Sequence, residues 1–156
     1  MKISEPNASV FYNHIRYGKH KKPFVMYKFR TMRTGVPPKR NQNNPFLHID
    51  QDNRVTKLGK ILRKYSIDET LQLINIIKGD MIFIGPRPCI EADIPFLPPE
   101  RFTVMPGFTG TVRRWQKKQP DLQSIYRQEQ TFITNYGWKI KLRVLIDGIK
   151  LLWHNK

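Results

Sequence analysis

The chain has 156 residues, enough for one domain with a modest core. Lys and Arg number 28 against 12 Asp and Glu, and the resulting net charge of +16 calls for an anionic partner: nucleic acid, phospholipid headgroups or phosphorylated metabolites. A composition of 39% hydrophobic and 12% aromatic residues excludes a disordered chain, the single Cys89 excludes an internal disulfide, and no apolar run reaches the ~18–20 residues that span a bilayer.

In chain order, Val10–Tyr17 and Phe24–Met32 are rich in aromatic and β-branched residues and flank Gly18-Lys19-His20-Lys21-Lys22-Pro23, which reads as a hairpin. Alternate residues share a strand face, so Lys28 and Arg30 stand together on the second strand. Arg33–Pro45 is a polar loop with Gly, Pro and Asn. Leu58, Ile61, Leu62 and Tyr65 then recur at i, i+3, i+4 and i+7, the mark of an amphipathic helix. Ser66-Ile67-Asp68-Glu69 has the form of a capping box and predicts a second helix over Thr70–Lys78, stopped by Gly79.

Met81–Ile84 is a short buried strand candidate, ended by Gly85-Pro86-Arg87-Pro88. Ala92–Pro106 is proline-rich and irregular, Pro106–Gly110 is a tight turn, and Gln123–Asn135 is helical. Trp138–Trp153 sets Trp138, Leu142, Leu145, Ile149 and Leu152 in one stripe, with Lys139, Lys141, Arg143 and Lys150 off it. Such a helix packs on a core or lies in a membrane interface beside anionic lipid. The expected fold is α+β: one compact domain with an N-terminal β-hairpin, short helices around the acidic pair, and a C-terminal basic amphipathic helix.

Three constellations can carry chemistry. Asp68 and Glu69, read alone, are a helix cap, because acids in a first helical turn meet the positive end of the dipole. Their surroundings add a second reading: Arg63 lies five residues upstream, and an Asp kept ionised can serve as nucleophile or metal ligand. In Gly85-Pro86-Arg87-Pro88 two prolines stiffen the backbone around one guanidinium, which suits a phosphate; the plainer reading is a strand-exit turn. Lys28 and Arg30 form the third, and the plainer reading there is an exposed basic strand face. His14, His20, His48 and His154 lack ligand spacing, Cys89 is most simply a packed small residue, and no P-loop or Gly-x-Gly-x-x-Gly is present.

Together these pieces resemble the bacterial sugar transferase family, the small monotopic polyprenyl-phosphate glycosyl-1-phosphate transferases. The resemblance is carried in order by Val10-Phe11, Arg16-Tyr17-Gly18, Tyr27-Lys28-Phe29-Arg30-Thr31-Met32, Asp52-Asn53-Arg54-Val55-Thr56, Gly59, Leu62-Arg63, Ser66-Ile67-Asp68-Glu69, Gln72-Leu73, Asn75, Lys78-Gly79-Asp80-Met81, Ile84-Gly85-Pro86-Arg87-Pro88 and Pro106-Gly107-Phe108-Thr109-Gly110. It implies that Asp68 attacks the β-phosphate of a UDP-sugar, expelling UMP, and that a polyprenyl phosphate then takes the sugar-phosphate. It implies that Glu69 binds Mg²⁺ and that Lys28, Arg63 and Arg87 are active-site cations, with Arg30, Glu129, Pro86 and Pro88 as secondary candidates.

The resemblance also implies one catalytic domain over residues 1–156, at the cytoplasmic face of the bacterial inner membrane as a peripheral or monotopic protein. Its products would start exopolysaccharide, capsule or glycan assembly. The family pattern departs at Thr70-Leu71, where Leu-Pro is usual, at Glu129, which aligns with a common Asp, and at Lys141, where a late Asp is common. The family's membrane-entering helical hairpin would precede Val10, where this sequence has no counterpart; either the sequence is truncated, or the chain docks through its basic surface and last helix alone. Two rival readings stand beside this one. A nucleic-acid-binding module is suggested by the net charge and by Trp115 among Arg113, Arg114, Lys117 and Lys118, although no nucleic-acid partner is expected. The other is an anchorless, inactive relative with a scaffolding role.

Overall fold

The computed structural model describes residues 9–35, 54–109, 122–143 and 146. The Trp115 cluster, most of the Arg33–Pro45 loop and the end of the last helix lie outside the described residues. Strands β1 (Phe11–Tyr17) and β2 (Pro23–Phe29) form the expected antiparallel hairpin, with Phe11 opposite Phe29 and Tyr17 opposite Pro23. The connection is a 3-10 turn over Lys19–Lys21 in which His20 and Lys21 both take φ of 56°, the left-handed conformation that turns the chain back on itself.

Opposed residues share a face, so the register puts Tyr12, His14, Arg16, Phe24, Met26 and Lys28 on one side. Met26 is buried there, whereas Phe11, Ile15 and Val25 on the other side are exposed. A two-stranded sheet also leaves open edges. Asn75 closes that of β2: its Oδ1 accepts from Tyr27 N–H at 3.2 Å and its Nδ2 donates to the Val25 carbonyl at 2.7 Å, so one amide imitates a neighbouring strand.

Helix α1 (Lys57–Lys64) starts at Thr56, whose hydroxyl accepts from Gly59 N–H at 2.9 Å. It sits against the end of β2 because residue 59 has no side chain; a Cβ there would lie 2.1 Å from the Thr31 carbonyl oxygen. The capping box at Ser66 does not form. Ser66 takes φ 55° and ψ 23° and makes no side-chain cap. It is the left-handed residue that ends α1, its N–H reaching the Arg63 carbonyl at 3.1 Å, rather than the start of a new helix. Ile67–Glu69 is a 3-10 turn, and α2 proper spans Gln72–Ile77.

Met81–Ile84 is not a strand. Met81 and Ile84 are buried, but only Ile82 makes a bridge, parallel to Gly107. The pairing ends there because the backbones of Gly85 and Gly107 are pressed together: a Cβ on Gly107 would lie 2.0 Å from Gly85 N. The segment of residues 106–109 thus braces the Arg87 loop, Gly107 N–H donating to the Pro86 carbonyl at 2.8 Å. Beyond it come 3-10 turns over Glu91–Phe96 and Pro99–Thr103 and helix α3 (Leu122–Thr134). Cys89 packs with Leu97 and Phe102 in a small core, and burial raises its thiol pKa, which keeps it protonated and inert. Residues 138–143 and 146 are helical, with Trp138, Leu142 and Ile146 exposed. The described residues are therefore of mixed α+β class.

Candidate active site

Asp68 and Glu69 stand on the 3-10 turn between α1 and α2, and both are nearly enclosed, at 8% and 4% exposure. A buried carboxylate needs partners to remain in the fold. Glu69 Oε1 accepts from Lys28 Nζ at 2.9 Å, an ion pair that joins the turn to β2. This contact takes the place of the reciprocal cap to Ser66, because the left-handed turn at Ser66 swings Glu69 towards the hairpin.

Arg63 arrives from α1. Its Nε donates to the Thr31 hydroxyl at 2.9 Å, beside the carbonyl against which Gly59 packs. Strand β2, α1 and the turn thereby bring Lys28, Arg63 and the acidic pair into one neighbourhood. The Arg87 loop hangs from the same hairpin, since Tyr17 N–H donates to the Cys89 carbonyl at 2.9 Å. Pro86 and Pro88 are buried, and the Arg87 carbonyl accepts from Arg101 Nη2, which leaves the guanidinium of Arg87 on a stiff support.

Glu129 lies with Arg101 rather than with the acidic turn. The two form a buried ion pair, and Arg101 bridges Glu129 on α3 to the Arg87 carbonyl. Burial lifts the Glu129 carboxyl above its usual range, against the pull of Arg101. Arg30 shares the sheet face of Lys28, but its Nε bonds the Ser9 carbonyl at 2.7 Å and its Nη2 the Phe11 carbonyl at 3.3 Å, with the guanidinium over the Tyr12 ring. Its visible work is to fasten the open end of the hairpin.

Two groups on the site face of the hairpin were not singled out by spacing. Arg16 is largely buried, which lowers its pKa, while Tyr12, Asp93, Cys89 and Glu69 act in the opposite direction. Its Nε has no hydrogen-bond partner among the described residues. His14 is lowered as well, first by burial and then by Arg16, so it stays neutral at neutral pH. The signal for both was the hairpin register, which puts residues 14, 16 and 28 on one face; the register itself is invisible in the pattern of residue types.

Among the described residues no group of three or more His, Cys, Asp or Glu could hold a metal ion by itself. The two adjacent carboxylates nevertheless offer the hard oxygen donors that Mg²⁺ takes when substrate phosphates and water complete its shell. No helix of the described residues is long and apolar enough to cross a membrane.

The described residues thus hold a buried acidic pair joined to Lys28 of the hairpin, within a small domain of mixed α+β class. The chain belongs to the bacterial sugar transferase family, whose family model matches residues 1–155. It is 34% identical over 155 residues to the uncharacterized sugar transferase EpsL of Bacillus subtilis strain 168, covering 93% of this chain and 69% of that protein. It is 38% identical over 162 residues to the UDP-N-acetylgalactosamine-undecaprenyl-phosphate N-acetylgalactosaminephosphotransferase of Aeromonas hydrophila, covering 97% of this chain and 37% of that protein. Against the undecaprenyl-phosphate galactose phosphotransferase of Salmonella typhimurium strain LT2 the identity is 33% over 170 residues, covering 97% and 35%. The chain thus spans little more than a third of the length of the latter two.

Proposed function

We propose that the chain transfers a sugar-1-phosphate from a UDP-sugar to a polyprenyl phosphate, releasing UMP, as the first step of exopolysaccharide, capsule or glycan assembly. The observation that carries this reading is the buried Asp68–Glu69 turn tied to Lys28, within a chain of this family. The names of the Aeromonas and Salmonella relatives supply the acceptor, undecaprenyl phosphate, and the Aeromonas name supplies a UDP-sugar donor.

In this mechanism an Asp68 carboxylate oxygen forms a bond to the β-phosphorus of the donor as the bond to the UMP oxygen breaks. The sugar-phosphate is then held as an acyl phosphate on Asp68. A phosphate oxygen of the acceptor attacks the same phosphorus, the bond to Asp68 breaks, and the free carboxylate and a polyprenyl diphosphate sugar result. Lys28, Arg63 and Arg87 hold the diphosphate and stabilise charge on the departing UMP. Glu69 is the residue that would hold Mg²⁺ together with donor phosphates, and the ion would supply further charge neutralisation there.

The catalytic domain is residues 1–156, seated peripherally at the cytoplasmic face of the bacterial inner membrane. The test is UMP release from UDP-sugars in detergent with Mg²⁺ and polyprenyl phosphate. Release that disappears in Asp68→Asn supports the reading. Tight, salt-sensitive binding to RNA or DNA with no UMP release would replace it by the nucleic-acid reading.

A further inference from the structure

Several arginines around the hairpin and the Arg87 loop are committed to the fold. Arg30 bonds the carbonyls of Ser9 and Phe11, Arg63 bonds the Thr31 hydroxyl, and Arg101 is held by Glu129 and the Arg87 carbonyl. Arg16 is not. Its Nε is buried without a hydrogen-bond partner, the one side-chain nitrogen or oxygen in that state among the described residues. Its guanidinium forms no ion pair among them either.

A native fold seldom leaves a buried donor so, because the water it gave up is not replaced. Burial also works against the charge, lowering the Arg16 pKa; Tyr12, Asp93, Cys89 and Glu69 pull the other way without reversing it. A group this unfavourable to the empty fold is retained where a ligand completes it.

Its position indicates which ligand. The register puts Arg16 on the hairpin face that carries Lys28. Beside it, Tyr17 N–H holds the Cys89 carbonyl at the exit of the Arg87 loop. Of the two acids near enough to act on its charge, Glu69 belongs to the acidic turn and Asp93 to the 3-10 turn that follows the loop. Lys28 is already tied to Glu69, so it meets an incoming phosphate only by sharing that carboxylate. The fork of Arg16 meets one with no such exchange.

We infer that Arg16 is a further phosphate-binding residue of the site, its free Nε–H donating to a phosphate oxygen of a nucleoside diphosphate held between the acidic turn and the Arg87 loop. The inference deepens the transferase reading and rests on it for the identity of the anion.

Calorimetric titration of the full chain in detergent with pyrophosphate and with UDP, each with Mg²⁺, tests this without turnover. Arg16→Met keeps an unbranched side chain and removes the fork, and affinity for both ligands should fall about tenfold or more. Because the lost group was a buried donor without a partner, the urea midpoint should equal or exceed that of wild type. Arg16→Lys returns the charge without the fork and should recover only part of the affinity. Lys22→Met removes the same charge from an exposed position on the hairpin connection and should bind as wild type.

Unchanged affinity in Arg16→Met would overturn the inference. So would a fall in affinity that comes with a lowered urea midpoint, the mark of a cation that holds the fold, or an equal fall in Lys22→Met, the mark of net charge alone. If Arg16→Met does not fold, Arg16→Lys decides: a several-fold loss supports the inference and wild-type affinity overturns it. UMP release is read separately. No release with Arg16-dependent pyrophosphate binding would sink the transferase reading and leave the anion site standing; normal release with Arg16-independent binding would sink the Arg16 assignment alone.

Discussion

Lys28 Nζ donates to Glu69 Oε1 across 2.9 Å, so the second strand of the hairpin and the acidic turn, 41 residues apart in sequence, are joined by a partly buried ion pair. Lys28→Ala would leave Glu69 enclosed without that cation. The expected cost is about 1–3 kcal/mol in urea unfolding, together with loss of UMP release. Lys28→Arg should restore part of both, because a cation of similar reach returns to the carboxylate. A Lys28→Ala chain as stable as wild type would show that the pair does not hold the turn.

The Arg101–Glu129 pair makes a second prediction, about support rather than chemistry. Arg101→Met removes the cation from a buried carboxylate and the donor from the Arg87 carbonyl, and should cost about 3 kcal/mol or more. Adding Glu129→Leu should recover part of that loss, since an apolar pair of similar volume no longer strands a charge. In the double variant the remaining defect should be a raised KM for the donor, because Arg87 is no longer braced. An unchanged KM would contradict the bracing role.

Much of this arrangement was legible in the residues. The hairpin came from two aromatic and β-branched runs around a Gly-to-Pro turn, and α1 from the spacing of Leu58, Ile61, Leu62 and Tyr65. The acidic pair and the Arg87 loop stand out in the sequence by their chemistry, as candidates. What could not be read was orientation. The spacing that predicts α1 does not say that Ile61 and Tyr65 of its stripe stay exposed while Gly59 fits against Thr31.

The capping motif at Ser66 failed for a related reason: Ser-x-x-Glu describes a helix start only when Ser is extended, and here the end of α1 forces it left-handed. Arg16 and His14 were passed over because their relation to Lys28 lies in strand register, which long-range pairing sets. The strand candidate Met81–Ile84 has strand composition, but two glycines in backbone contact stop the ladder after a single bridge.

Gly59 supplies the third prediction. In Gly59→Ala the new Cβ would meet backbone, the Thr31 carbonyl, which cannot rotate away. α1 must move, and with it the Arg63–Thr31 hydrogen bond. A loss of about 3 kcal/mol, read by urea unfolding, or failure to fold is expected. A variant within ~0.5 kcal/mol of wild type would mean that α1 does not rest on Thr31.

The fourth concerns pH. His14 has a folded pKa below its ordinary 6.5, from burial first and the nearby charge of Arg16 second. Between those two values the unfolded chain binds more protons than the native one. The His14 contribution is therefore fully present above 6.5 and is lost as pH falls towards the folded value. Urea midpoints measured down through this window should decline in wild type, and His14→Gln should decline less. An equal slope in the two proteins would remove His14 from the account.

The central claim is that Asp68 becomes covalently loaded. The direct measurement is mass spectrometry of the chain incubated with a UDP-sugar and Mg²⁺ in detergent, without acceptor, then digested at low pH to preserve an acyl phosphate. The account predicts a sugar-phosphate on the peptide that contains Asp68, its loss when polyprenyl phosphate is added, and its absence from Asp68→Asn. An adduct on another residue, or UMP release from Asp68→Asn at the wild-type rate, would contradict it.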